Sequence, residues 1–376
     1  MLERMDTRRV YARLRRHLDS LPVGFPRSRA GSRILRRLFS PEEARIALGL
    51  SWRFRAAAEI GRELGVLGIR LEGPESVERL EEALKAMASR GSILMRATDG
   101  SFALLPFVVG MYELQVASLS EGLVSDTVKF MNEGYGLELL STGEAQTRVI
   151  PIDAAISPEH RIADYDETRS LIRAAGGRIA VVDCICRRAT DLVGKPCAST
   201  GRRELCMAFR DFADTVLREG WGRALSQDEA LELADQNQRE GLVMRPSNER
   251  EPQFLCACCG DCCGLLAVVK AMKRPADFVA SNHRASVKPE ACSSCGACAR
   301  KCPMQAIVLD GPPARRGGRR TARVREGRCI GCGVCVAACK FGAIVLETLE
   351  PALVPPRDTG ELMERLAQTR PGTARK

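Results

Sequence analysis

The sequence predicts an α+β multidomain protein: a helical domain over 1–145, a cysteine-rich α/β domain over 146–284, a small duplicated domain over 285–348, and a linker, short helix and tail over 349–376. Three observations predict it. Apolar residues recur at helical spacing through the first third, short β-branched runs alternate with capped helices in the middle, and two stretches near the end align at a constant offset of 37 residues. A chain of 376 residues carries enough apolar surface for two or three cores, so disulfides are not needed to hold it together.

The N-terminal stretch is arginine-rich and lacks the apolar run and small-residue cleavage site of a secretory signal, and no segment approaches the roughly 18 apolar residues that span a bilayer. The expectation is a soluble, cytoplasmic protein without a membrane span. Thiols stay reduced there, so 17 cysteines point to metal before cross-links. Positive charge is concentrated: residues 1–50 hold twelve Arg against five acidic residues, and 311–328 hold seven against one. Such segments suit an acidic protein surface or nucleic acid; the competing reading is a solvated face that keeps the chain soluble.

In the first third, Val10, Leu14 and Leu18 mark an amphipathic helix. Ser40, Pro41 and Glu43 form a capping box with proline at the first helical position. A helix over 54–64 follows, and another places Val77, Leu80, Leu84 and Met87 on one face before Gly91 stops it. Two apolar runs around Asp99-Gly100 then signal a hairpin. Helices followed by a β-hairpin suggest a winged helix. Its DNA-facing helix would present Glu75, Glu78, Glu81 and Glu82 against Arg79, Lys85 and Arg90, a poor balance for phosphates, so a protein-docking domain is favoured over DNA binding.

The middle mixes short strands (TRVIPI, RIAVVD, GLVMRP) with helices, one capped by Ser226 and ended by Gly241. Leu362 and Leu366 of the last helix suit packing back on the body.

The duplication carries the strongest signal. CSSCGACARKCPMQAIVLD from Cys292 and CIGCGVCVAACKFGAIVLE from Cys329 align all four cysteines, Gly296 with Gly333, and the upstream Val287 with Val324. Each half carries C-x2-C-x2-C-x3-C, the bacterial run for cubane iron–sulfur clusters, in which the fourth cysteine serves the other half's cluster. Three thiolates two residues apart wrap one corner of a small inorganic cube, and a glycine after the second permits the tight loop. One 4Fe-4S cluster is therefore assigned to Cys292, Cys295, Cys298 and Cys339, and the other to Cys329, Cys332, Cys335 and Cys302. Zinc is disfavoured here, because structural zinc sites use two C-x2-C pairs and not two sets of four.

These residues resemble a bacterial ferredoxin domain with two 4Fe-4S clusters, arranged as a pseudo-twofold duplication. The resemblance implies one-electron transfer without chemistry on a substrate. Two departures stand out: Lys340 follows Cys339 where Pro303 follows Cys302, and 26 residues separate Cys302 from Cys329, leaving a basic flap near the clusters.

Nine cysteines remain. Cys184, Cys186, Cys197 and Cys206 suit a strand end, a loop and a helix start converging on one point, where four thiolates match a third cubane or a zinc ion equally in number. In Cys256, Cys258, Cys259, Cys262 and Cys263, an extended chain puts Cys256 and Cys258 on one side and Cys259 on the other, with Gly260 supplying a turn into a helix. Adjacent cysteines rarely ligate one metal, so one or two of the five suit a supporting role. A further iron–sulfur cluster, zinc, and buried or redox-active thiols all stay open for the nine. The order of helical segment, CxCR, C-x-C-C-x2-C-C and terminal ferredoxin domain resembles multidomain iron–sulfur proteins of anaerobic bacteria.

His17, His160 and His283 are scattered and read as surface or capping residues, and no G-x-G-x2-G, phosphate loop or nucleophile elbow is present. The expected function is an electron carrier or oxidoreductase subunit with a redox partner of acidic surface. The alternative is a redox-responsive DNA-binding regulator.

Overall fold

The computed structural model describes residues 7–69, 76–156, 163–311 and 320–371. His160, Glu75 and residues 312–319 of the arginine-rich loop lie outside them. The chain divides into two compact units: Met1–Glu144 with Asp214–Trp221 and Gly360–Lys376, and Ala145–Ala213 with Gly222–Thr359.

In the first unit, helix Thr7–Asp19 buries Val10, Tyr11, Leu14 and Leu18, and helix Arg29–Leu38 starts at an N-cap, Ser28. Helix Pro41–Ile46 carries the reciprocal Ser40/Glu43 capping box. Helices Ala57–Val66 and Ser76–Ser89 follow. Leu80, Leu84 and Met87 are buried as expected, whereas Val77, in the first turn, is 42% exposed and does not join their face. Strands β1 (Leu94–Met95) and β2 (Phe102–Ala103) pair across Asp99-Gly100, and Arg55 bridges to Phe102. Gly100 takes φ +68°, and the Asp99 carboxylate accepts the Ser101 N–H. Part of the arginine charge is engaged internally: Arg33 and Arg37 both hold the buried Asp126 carboxylate. Helix Thr359–Thr369 packs Leu362, Met363 and Leu366 around Val23.

The second unit is built on an antiparallel sheet of order β5-β3-β4-β7-β6: β3 Ile179–Asp183, β4 Glu204–Phe209, β5 Gly222–Ala224, β6 Val243–Pro246 and β7 Phe254–Cys258. Strand alternation gives the sheet two chemically different faces. Ile179, Val181, Leu205, Met207, Phe209, Met244, Leu255 and Ala257 enter an apolar core. The intervening positions carry Cys206, Cys256, Cys258 and Arg245. Helix Gln227–Arg239 has its Ser226 capping box and ends before Gly241, at φ +77°.

Beyond it lie two further ribbons. Strand β8 (His283–Val287) pairs with β11 (Ile344–Thr348), and β9 (Ile307–Asp310) with β10 (Thr321–Val324). Their registers repeat at the sequence offset: Val287 opposes Ile344, and Val324, 37 residues after Val287, opposes Ile307. Left-handed residues repeat likewise, Ser294 with Gly331, Gly296 with Gly333, and Gln305 with Gly342. His283, expected at the surface, is buried on β8, with Nε2 3.9 Å from Asp166.

Candidate metal centres

Cysteine forms much of the core between the two ribbons. Cys292, Cys298 and Cys335 are buried with Ala285, Ile307, Ala322, Ala343 and Ile344, and Cys302, Cys329 and Cys339 pack against them. Backbone N–H groups donate to sulfur at matched positions: Ala285 to Cys329 at 3.4 Å, Ala322 to Cys292 at 3.3 Å, Ala306 to Cys302 at 3.2 Å and Ala343 to Cys339 at 3.3 Å. Shifting each donor and acceptor by 37 residues converts the third bond into the fourth. For the first two, the donor of one half reaches the cysteine of the other. Gly296 and Gly333 cap the short helices Ala297–Lys301 and Val334–Ala337 in the left-handed conformation that the tight cysteine loop requires.

Cys302, Cys329, Cys332 and Cys335 line one cavity with apolar Ala285, Met304, Ile307 and Ile330. Burial, with Cys302 and Cys329 alongside, pushes the Cys332 thiol up to about 12, and burial with four neighbouring cysteines raises Cys335. Thiols this close and this buried need a cation among them to ionise together, which is what a cluster's irons supply. The residues present therefore fit iron–sulfur clusters. Cys295, the counterpart of Cys332, is exposed.

The nine upstream cysteines do not group as their sequence order suggests. Six form a closed ring of side-chain contacts: Cys184 to Cys186, Cys186 to Cys263, Cys263 to Cys258, Cys258 to Cys256, Cys256 to Cys206, and Cys206 to Cys184. Cys206 lies on β4 opposite Val182, not at a helix start; pairing with both β3 and β7 overrides its helical-looking neighbourhood, and the helix begins at Arg210. Cys256 and Cys258 share one face of β7, and Arg245 opposes Cys256 on β6. Cys184 and Cys263 are N-caps of helices Ile185–Leu192 and Gly264–Ala271, so Cys184 and Cys186 enter a helix and not a loop.

Two arginines that sequence reasoning missed flank this ring. Arg187 is 1% exposed and donates to Cys184 Sγ at 3.2 Å and to the Ala257 carbonyl at 3.1 Å, while its Nε and Nη2 find no partner. Arg245 is also buried, with Nη1 3.9 Å from Cys263 Sγ. The thiols beside them ionise most readily: contacts from Cys186 and Cys206 hold Cys184 well below the usual thiol range, and contacts from Cys186 and Cys258 do the same for Cys263. The other four ring thiols are pushed up. Buried guanidinium groups with unsatisfied N–H demand anionic charge nearby. The adjacency CICRR was the available signal for Arg187.

Cys197, Cys259 and Cys262 gather elsewhere, with Asp261. Adjacent cysteines thus part company: Cys258 and Cys263 join the ring, Cys259 and Cys262 the second group.

Residues 291–343 match the family model described as the 4Fe-4S dicluster domain. No curated protein matches the chain. The second unit therefore contains an iron–sulfur, ferredoxin-type domain, and with the cysteine-rich region it supports an iron–sulfur electron-transfer role. No helix among the described residues is long and apolar enough to cross a membrane.

Proposed function

We propose that this protein is a cytoplasmic one-electron carrier, or the electron-transfer subunit of an oxidoreductase, holding two 4Fe-4S clusters crosswise. Cys292, Cys295, Cys298 and Cys339 hold one, and Cys329, Cys332, Cys335 and Cys302 the other, in pseudo-twofold halves. The observation that carries this is the set of N–H···Sγ bonds that repeats at the duplication's own offset inside a cysteine core. Clusters supply one-electron redox chemistry when bound. The chain's own part is to hold the thiolates, aim amide dipoles at sulfur and exclude water, each of which tunes potential.

Four of the six ring thiols would hold a third 4Fe-4S cluster, and Arg187 and Arg245 would offset its negative charge. Cys295 is exposed, so a redox partner of acidic surface would approach a cluster held there. Pro303, next to Cys302, lies against Gly260, so a cluster held by Cys302 would face the upstream cysteines. EPR of the reduced full chain tests this: interacting cluster signals support it, and a silent, colourless protein contradicts it.

A second reading is favoured by one observation, the order of helix Pro41–Ile46, the Arg55 bridge, two helices and a hairpin, which supports a winged helix. A redox-responsive DNA-binding regulator would use it. Its helix Ser76–Ser89 spends Lys85 on Glu81 at 2.7 Å, leaving little for phosphates, so protein docking is preferred. Gel shifts at two salt concentrations and two oxidation states separate the readings: sequence-specific, redox-dependent retention identifies the regulator.

A further inference from the structure

The three thiols outside the ring meet a carboxylate. Cys259, Asp261 and Cys262 come from the turn after β7, and Cys197 from the segment between helix Ile185–Leu192 and β4. Their ligand atoms all lie within 4.8 Å of one another. Cys197 Sγ is 3.7 Å from Cys259 Sγ and 3.9 Å from Asp261 Oδ1.

The spacing suits a single ion. Zinc–sulfur bonds of about 2.3 Å at the tetrahedral angle put neighbouring sulfurs about 3.8 Å apart. The surroundings orient the ligands as an outer shell does: Asp261 Oδ2 accepts the Ala198 N–H at 2.8 Å, Oδ1 accepts Ser199 Oγ at 3.1 Å, and Thr190 Oγ1 donates to Cys262 Sγ at 3.6 Å. Three thiolates and a carboxylate leave a bound divalent ion with net negative charge. The positive charge of Arg187, which acts on Cys259, offsets it.

We propose that Cys197, Cys259, Cys262 and Asp261 form a mononuclear zinc site, separate from the ring and from the ferredoxin-type domain. The ion staples the segment between Leu192 and Glu204, which has no strand of its own, onto the turn that delivers Cys263 to the ring. It is structural: all four positions are protein ligands.

The test is metal analysis of the full chain purified anaerobically, wild type beside Cys197→Ser and Asp261→Asn, with zinc K-edge absorption on the wild type. The expected result is about one zinc per chain, with three sulfurs near 2.3 Å and one oxygen near 2.0 Å. Cys197→Ser should lower zinc content at least about tenfold and leave iron unchanged, and Asp261→Asn should lower zinc content as well. Zinc below about a tenth per chain in the wild type overturns the site, as does an all-sulfur shell. A loss of about four irons in Cys197→Ser overturns it too, by assigning that thiol to a cluster. The wild-type absorption edge decides even if a variant fails to fold, and the iron count reads the proposed clusters independently.

Discussion

Gly260 lies against Pro303: a Cβ on the glycine would stand 2.9 Å from the proline's carbonyl oxygen and 3.0 Å from its Cα. Pro303 follows Cys302, and Gly260 follows Cys259. The two cysteine-rich regions of the second unit therefore touch backbone to backbone, and the missing side chain permits it. Lys340, the counterpart of Pro303, is exposed. The proline thus stands where the first half meets the upstream cysteines, while Val336 and Leu346 of the second half pack on the core that holds Cys184 and Cys259.

Gly260→Ala should therefore destabilise the second unit by about 1–3 kcal/mol, because backbone atoms cannot yield as side-chain ends do. It should also slow electron exchange between the ring and the Cys302 cluster. Denaturant unfolding followed by visible absorption checks the first, and flash reduction the second. An unchanged midpoint would show that the contact is slack.

The proposed ligand exchange between the halves predicts crossed phenotypes. Cys302→Ser should perturb the EPR signal and potential of the cluster on Cys329, Cys332 and Cys335, while Cys339→Ser perturbs the cluster on Cys292, Cys295 and Cys298. If each variant damages the cluster of its own half instead, the crosswise assignment fails.

Arg187→Met should lower the reduction potential of the ring's cluster. A reduced cluster carries one more negative charge, which the guanidinium stabilises; a unit charge about 5 Å away at an effective dielectric near 20 is worth about 3 kcal/mol, or on the order of 100 mV. Redox titration reads this directly, and a potential that rises or stays fixed contradicts the charge-balancing role.

His17 gives the first unit a pH dependence. Its Nε2 lies 2.7 Å from the Leu50 carbonyl, yet burial outweighs that bond and lowers its pKa from 6.5. As pH falls the unfolded chain takes up the proton first, so this contribution is complete above about 6.5 and fades below it. Urea midpoints at pH 7.5 and 5.5 should drop more for the wild type than for His17→Asn. Equal drops would remove the histidine from the account.

Features set by neighbours in sequence were legible. The two capping boxes, the Asp99-Gly100 hairpin and the left-handed Gly296 and Gly333 follow from local rules, and the duplication appears in the 37-residue offset. The sorting of nine cysteines into six and three was not legible. It depends on strand register, which sets Arg245 opposite Cys256 and Val182 opposite Cys206, and register is a tertiary property. The alternation of Leu255, Cys256, Ala257 and Cys258 did announce a sulfur-bearing face, but not what would meet it. Asp261 stood unmarked among five cysteines, its role visible only once Cys197 came alongside.

Iron and acid-labile sulfide counted on the full chain, purified anaerobically, test the central claim most directly. Two crosswise clusters and a third in the six-thiol ring predict about twelve of each per chain. A count near eight would remove the ring's cluster, and a count near zero would contradict the iron–sulfur account altogether.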